Sequence, residues 1–218
     1  MLAGGPVMYV SRTSLLLSNT SNVMTSKLIL LTASALAVSC GGWTAGEREL
    51  ISSSPEVMRV LVVDDPSDAV VLRASCKCFD EAMLRSPEFA ALSRKMLSTV
   101  TSPEQDGVGI AGPQVGVSRR IVAVQRFDKP GEPFEVYPNI RIVATRGEKE
   151  YGAEGCLSVP GRRGEVLRWH DIDICYTSPA TLRDTTEQVT GFTSVIFQHE
   201  CDHLEGILYP DYPDTVMK

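Results

Sequence analysis

His199 and His203 stand four residues apart with Glu200 directly after the first, in the run His199-Glu200-Cys201-Asp202-His203. On a helix that spacing stacks the two imidazoles one turn apart on one face, where both rings can meet a single metal ion. A glutamate beside the first histidine then reaches a water on the ion, which is hydrolytic chemistry. The remaining histidine, His170, reads as a loop or strand-edge residue. A site of this kind needs a third protein ligand and keeps one position open for water. Asp202 and Glu205 are near in sequence, but Asp202 points partly off the ligand face. Upstream, Glu154-Gly155-Cys156-Leu157-Ser158-Val159-Pro160 is the stronger source, and a thiolate or a carboxylate is chemically acceptable.

These residues need elements to hold them. Phe192, Val195, Ile196, His199 and His203 recur at helical spacing, and Gly206 is a suitable stop. Val195, Ile196 and Phe192 share the face of the histidines; Phe192 reads as core packing. Ser86-Pro87 is an N-cap followed by a first-turn proline, opening a helix from about Pro87 to Thr101 with Phe89, Leu92, Met96 and Val100 inward. Arg59 to Val63 reads as a strand ended by Asp64-Asp65-Pro66. Arg120 to Val124, Tyr137 to Ala144 and Asp171 to Tyr176 read as further strands. Strands followed by a late histidine-bearing helix predict an α+β fold with mainly antiparallel sheets.

The 218 residues fit one medium domain with appended segments. Hydrophobic residues make up 43% and charged residues 22%, enough for a substantial core without disulfides. The net charge is −6 and the basic residues form no stripe, which excludes a nucleic-acid partner. Residues 1–40 contain no acidic residue. Lys27 precedes the apolar run Leu28 to Val38, and Ala37-Val38-Ser39-Cys40 resembles the lipobox of bacterial lipoproteins. The expected organisation is a leader over 1–40, a short Ser-rich linker over 41–57 and a catalytic domain over 58–218. Met24 is then a candidate start, and Cys40 a candidate for lipid attachment outside the cytoplasm; without the leader the chain is cytoplasmic. Cys201 reads as a small apolar packing group, and Cys76, Cys78 and Cys175 carry no assigned chemistry.

Three segments in order, GVGIAGPQVG (Gly107 to Gly116), EGCLSVP and QHECDHLEG (Gln198 to Gly206), resemble the motifs of the peptide deformylase family. The resemblance covers about Met58 to Tyr209. It implies a fold in which antiparallel sheets surround a central helix bearing the histidines. It implies Cys156, His199 and His203 as metal ligands, Glu200 as general base and acid, and Gln114 with the Leu157 N–H facing the substrate carbonyl. The ion would be Fe²⁺ most characteristically, with Zn²⁺, Ni²⁺ or Co²⁺ as alternatives, since thiolate and imidazole suit several metals. The substrate would be an N-formyl-methionyl peptide and the products formate and a free amine. Val108 and Gly109 would pair with its backbone, Val195 and Ile196 would receive the methionine, and Arg163 would stand at the pocket mouth. Ala111-Gly112 replaces the family's Ala-Ala, an expected loosening of the loop carrying Gln114. An HExxH peptidase leaves the cysteine and glycine-rich motifs unexplained. A non-catalytic, surface-anchored peptide-binding protein on the same fold is the other reading, against which Cys156, Glu200 and Gln114 weigh.

Overall fold

The computed structural model describes residues 42–217; the leader expected over 1–40, Cys40 included, lies outside them. The expected linker is corrected, because its middle is a helix, α1 (Ala45–Ser53). Thr44 and Glu47 close a reciprocal capping box at its start, satisfying two otherwise open backbone donors. Trp43 and Ile51 are buried with Phe79, Phe89 and Met96. The serines of this stretch dominate its average polarity, yet Trp43, Leu50 and Ile51 are enough to dock one helix face. Lys95 closes the far end, its Nζ donating to the carbonyls of Ile51 (2.5 Å) and Ser54 (2.6 Å).

Two short helices follow, α2 (Pro66–Leu72) and α3 (Glu81–Leu84), and then α4 (Pro87–Val100). α4 starts as its sequence dictates, with Ser86 Oγ accepting from the Phe89 amide and Pro87 in the first turn. Phe89, Leu92, Met96 and Val100 face the core. Arg59 to Val63, by contrast, joins no sheet. Leu61 donates its amide to the Gln114 carbonyl (2.8 Å) and Val63 to the Ser158 carbonyl (2.9 Å), single ties to two different segments rather than a ladder.

β1 (Gly109–Ala111), β2 (Ile121–Gln125) and β3 (Phe134–Pro138) form one antiparallel sheet in that order. Ile121, Val122, Ala123 and Val124 are all fully buried, so both faces of β2 are covered. The second sheet is antiparallel with order β4 (Arg141–Cys156), β5 (Val159–Thr177), β6 (Asp184–Thr190), and β7 (Val216–Met217) pairs with β5. The strand expected over Tyr137 to Ala144 is thus two strands. Asn139 sits between them at φ +56°, and its side chain bonds the Phe79 amide and carbonyl. Asparagine tolerates that left-handed conformation, and the chain changes sheets there.

α5 (Gly191–Leu204) contains His199, Glu200 and His203. It is buried on more than one face: Thr193, Ser194 and Gln198 are as inaccessible as Ile196 and Phe197. The polar ones have a task, since Ser194 Oγ and Gln198 Nε2 both donate to the Trp169 carbonyl of β5 at 2.8 Å, and Gln198 Oε1 accepts from the Trp169 amide. Buried polar groups are tolerated when paired in this way, and here the pairing fixes the register of α5 against β5.

Candidate metal centre

Cys156 ends β4 at a bulge and faces Val159 of β5 across the turn Leu157-Ser158. This turn brings its thiol to α5, where Cys156 Sγ lies 3.3 Å from His203 Nε2. The His199 and His203 rings are 5.1 Å apart at 71°. One donor atom from each of Cys156, His199 and His203 falls within 4.8 Å of the others, and among the described residues this is the cluster with such geometry. Metal–sulfur distances near 2.3 Å and metal–nitrogen distances near 2.0 Å place tetrahedral donors about 3.5 Å apart, so the set fits a single first-row ion. Burial also drives His203 toward the neutral imidazole, the form that ligates.

Around this set stands a shell that the sequence did not reveal. His199 Nδ1 lies 2.8 Å from Glu154 Oε2, which leaves Nε2 for an ion. Glu154 in turn takes two bonds from Arg168 (2.7 and 3.0 Å), and Arg168 also reaches Asp202 at 2.6 Å. Burial alone would raise the Glu154 carboxyl, yet the bonds from His199 and Arg168 hold it at about 2. It is therefore an anion at neutral pH, orienting the imidazole. A usable signal was present: Glu154 and Cys156 are two apart on a strand and so share a face. Asp202, paired with Arg168 and Tyr212, is not a member of the donor cluster. Glu205 pairs with Arg120 at 2.6 Å. His170 is surface-exposed, beside Asp171.

The cluster opens into a cleft of about 560 Å³. Val108, Gly109, Gln114, Leu157, Arg163, Val195 and Ile196 all line it together with Cys156, His199 and Glu200, whereas His203 reaches the cluster from the buried side. Phe192 lines it too, 54% exposed and stacked at a tilt on Phe127. Core packing for Phe192 is thereby corrected; Gly191 and Phe192 open the first turn of α5, where the helix meets the cleft instead of the core. Burial lifts the Glu200 carboxyl to about 7, and its Oε2 has no hydrogen-bond partner among the described residues. The Cβ position of Gly109 is 2.5 Å from Glu200 Oε1 and 2.9 Å from Ile196 Cγ2, so a side chain there would displace the carboxylate and press on α5.

Gln114 is held from both ends of its amide. Its Oε1 accepts from the Ala111 amide (2.8 Å), and its Nε2 faces Ser158 Oγ (3.2 Å) and, at 3.8 Å, Cys156 Sγ. The expected loosening by Gly112 is corrected. A Cβ there would stand 2.7 Å from the carbonyl oxygens of both Val117 and Arg119, so the missing side chain lets the turn close tightly. Gly112→Ala should force the backbone apart, costing about 1–3 kcal/mol and, for a chain of this size, several degrees of Tm. Calorimetry of the two proteins checks it; an unchanged Tm would show the turn to be slack.

A thiol, two imidazoles and a buried carboxylate beside an open cleft, on antiparallel sheets with helices, are the donor set and acid–base group of a metallohydrolase. Residues 57–217 match the family model described as polypeptide deformylase. The chain is 33% identical over 162 residues to the peptide deformylase of Leptospira biflexa, covering 71% of this chain and 87% of that protein. It is 42% identical over 131 residues to peptide deformylase 2 of Bordetella bronchiseptica, covering 57% and 73%. Among solved structures, the class I type b peptide deformylase of Acinetobacter baumannii with Met-Ala-Ser bound superposes with a TM-score of 0.62 at 32% identity, covering 71% of this chain and 97% of that one. The chain belongs to the peptide deformylase family of metalloenzymes, which remove the formyl group from N-terminal formyl-methionine. Among the described residues no helix is long and apolar enough to cross a membrane.

Proposed function

We propose that Cys156, His199 and His203 hold one divalent ion, Fe²⁺ in the native enzyme with Zn²⁺, Ni²⁺ or Co²⁺ able to replace it, and that the cleft deformylates N-formyl-methionyl peptides. The convergence of the three donor atoms, with the Glu200 carboxyl lining the same cleft as Cys156 and His199, carries this reading. An ion held there supplies Lewis acidity and brings the pKa of water toward neutrality. The chain's own groups do the rest. Glu200, buried and with a free oxygen, takes the proton of the attacking water and delivers it to the departing α-amine. The oxygen of the formyl carbonyl becomes negative as the carbon turns tetrahedral, and the Gln114 amide and the Leu157 N–H, both from residues lining the cleft, donate to it.

β1 is the outer strand of its sheet and lines the cleft, so Val108 and Gly109 can accept the peptide backbone as an added strand. This mode tolerates many sequences beyond the first residue. Val195 and Ile196 offer the methionine side chain an apolar wall, and we assign Arg163, which lines the same cleft, to its mouth. α5 packs against strands of both sheets, which supports the helix as the central element of the fold. Lipid attachment at Cys40 rests on the sequence from Lys27 to Cys40 alone; with it the substrates are exported formyl-peptides. The intact mass of the cell-derived chain decides between a lipidated Cys40 and an unmodified leader.

Formate release from formyl-Met-Ala-Ser by the full chain, purified without oxygen and loaded with Fe²⁺, tests the activity. Turnover is expected. A folded chain carrying Fe²⁺, Zn²⁺, Ni²⁺ or Co²⁺ and releasing no formate would favour the non-catalytic peptide-binding alternative.

A further inference from the structure

The family match begins at residue 57, so Trp43 and α1 lie ahead of it. They nevertheless grip the turn that carries Gln114. Arg119, 2% exposed, donates from Nε to Glu47 Oε1 (2.6 Å) and from Nη2 to Glu47 Oε2 (2.9 Å) and to the Gly42 carbonyl (3.1 Å). Its guanidinium stands 5.9 Å from the centre of the Trp43 ring. The carbonyl of this same Arg119 is one of the two oxygens closed against Gly112, the first residue of the turn Gly112–Val115. Leu50 of α1 presses on the other end, its Cδ2 lying 3.0 Å from where a Cβ on Gly116 would be. Val115 and Val117 share one core cluster with Trp43 and Ile51.

Arg119, Gly116, Val115 and Val117, which flank Gln114 in the chain, are thus braced from outside by α1 and the Gly42–Trp43 segment before it. A bidentate arginine–carboxylate pair away from water holds both distance and orientation. We propose that α1 is a positioning element for catalysis, the Glu47–Arg119 pair and Leu50 holding the Gln114 amide in its working place. The proposal rests on the assignment of Gln114 to the substrate carbonyl. A misplacement of about 1 Å at a reacting group costs up to about 100-fold in rate, so loosening this brace should act on kcat with little effect on KM.

The test is a double-mutant cycle in the full, metal-loaded chain, with formate release, KM and metal content measured well below each Tm. Glu47→Ala is expected to lower kcat about tenfold with KM within about twofold and the ion retained. In a Gln114→Ala background the same change should lower kcat no further, because two residues acting through one interaction are not additive. Amide exchange at Ala111, whose N–H is held by Gln114 Oε1, should quicken about tenfold in Glu47→Ala while core amides of β5 are unchanged. If Glu47→Ala does not fold, Glu47→Gln and Leu50→Ala make the same cycle, with kcat losses of about threefold expected. A kcat loss in Gln114→Ala with parental kcat in the α1 variants, or full additivity in the cycle, overturns the positioning role and leaves the Gln114 assignment intact. Parental kcat in Gln114→Ala overturns both.

Discussion

Glu200→Ala should keep the metal ion and lose turnover by at least about 1,000-fold. One positioned acid–base group contributes about 100- to 10,000-fold, and the proposed mechanism gives this single carboxylate two proton transfers. Glu200 is 4% exposed, flanked by Gly109, and contributes no atom to the donor cluster. Its removal therefore should leave Cys156, His199 and His203 in place. Metal analysis beside formate release makes the check: one ion per chain with most of the activity retained would refute the role.

Cys156→Ala is expected to abolish both metal binding and activity. Changes to residues that merely orient a ligand cost about 10- to 100-fold in affinity, and loss of a ligand atom exceeds that. The readout independent of activity is thermal. An ion at about 1,000 times its Kd stabilises the parent by about 4 kcal/mol, which for a chain of this length is about 8–16 °C of Tm. Adding Zn²⁺ or Co²⁺ to the metal-free parent should produce such a rise and adding it to Cys156→Ala should not. A full metal-dependent rise in the variant would show that the thiol is not a ligand, and would redirect attention to Glu154 as the third donor.

Much of the site was legible because it is local. The His199, Glu200, His203 spacing needs only helical periodicity, and the α4 start needs only Ser86 and Pro87. The serines of 41–57, by contrast, concealed α1, whose stability comes from the burial of Trp43 and Ile51 and from Lys95 at its end. Arg59 to Val63 has strand-like composition, but its amides are used singly by Gln114 and Ser158. Phe192 has core-like spacing and yet opens onto the cleft.

The amino-acid sequence by itself determined which donors exist, their one-turn spacing on α5 and, through three ordered motifs, the kind of chemistry to expect. Only the tertiary structure decided that Cys156 meets His203 across 47 residues, that Glu154 and Arg168 lock His199, and that Gly112 tightens a turn instead of loosening it. The reason is physical: periodicity sets which side chains share a face within one element. Which elements face one another depends on sheet register, strand breaks such as Asn139 and the burial of a common core, and these involve residues far apart in the chain.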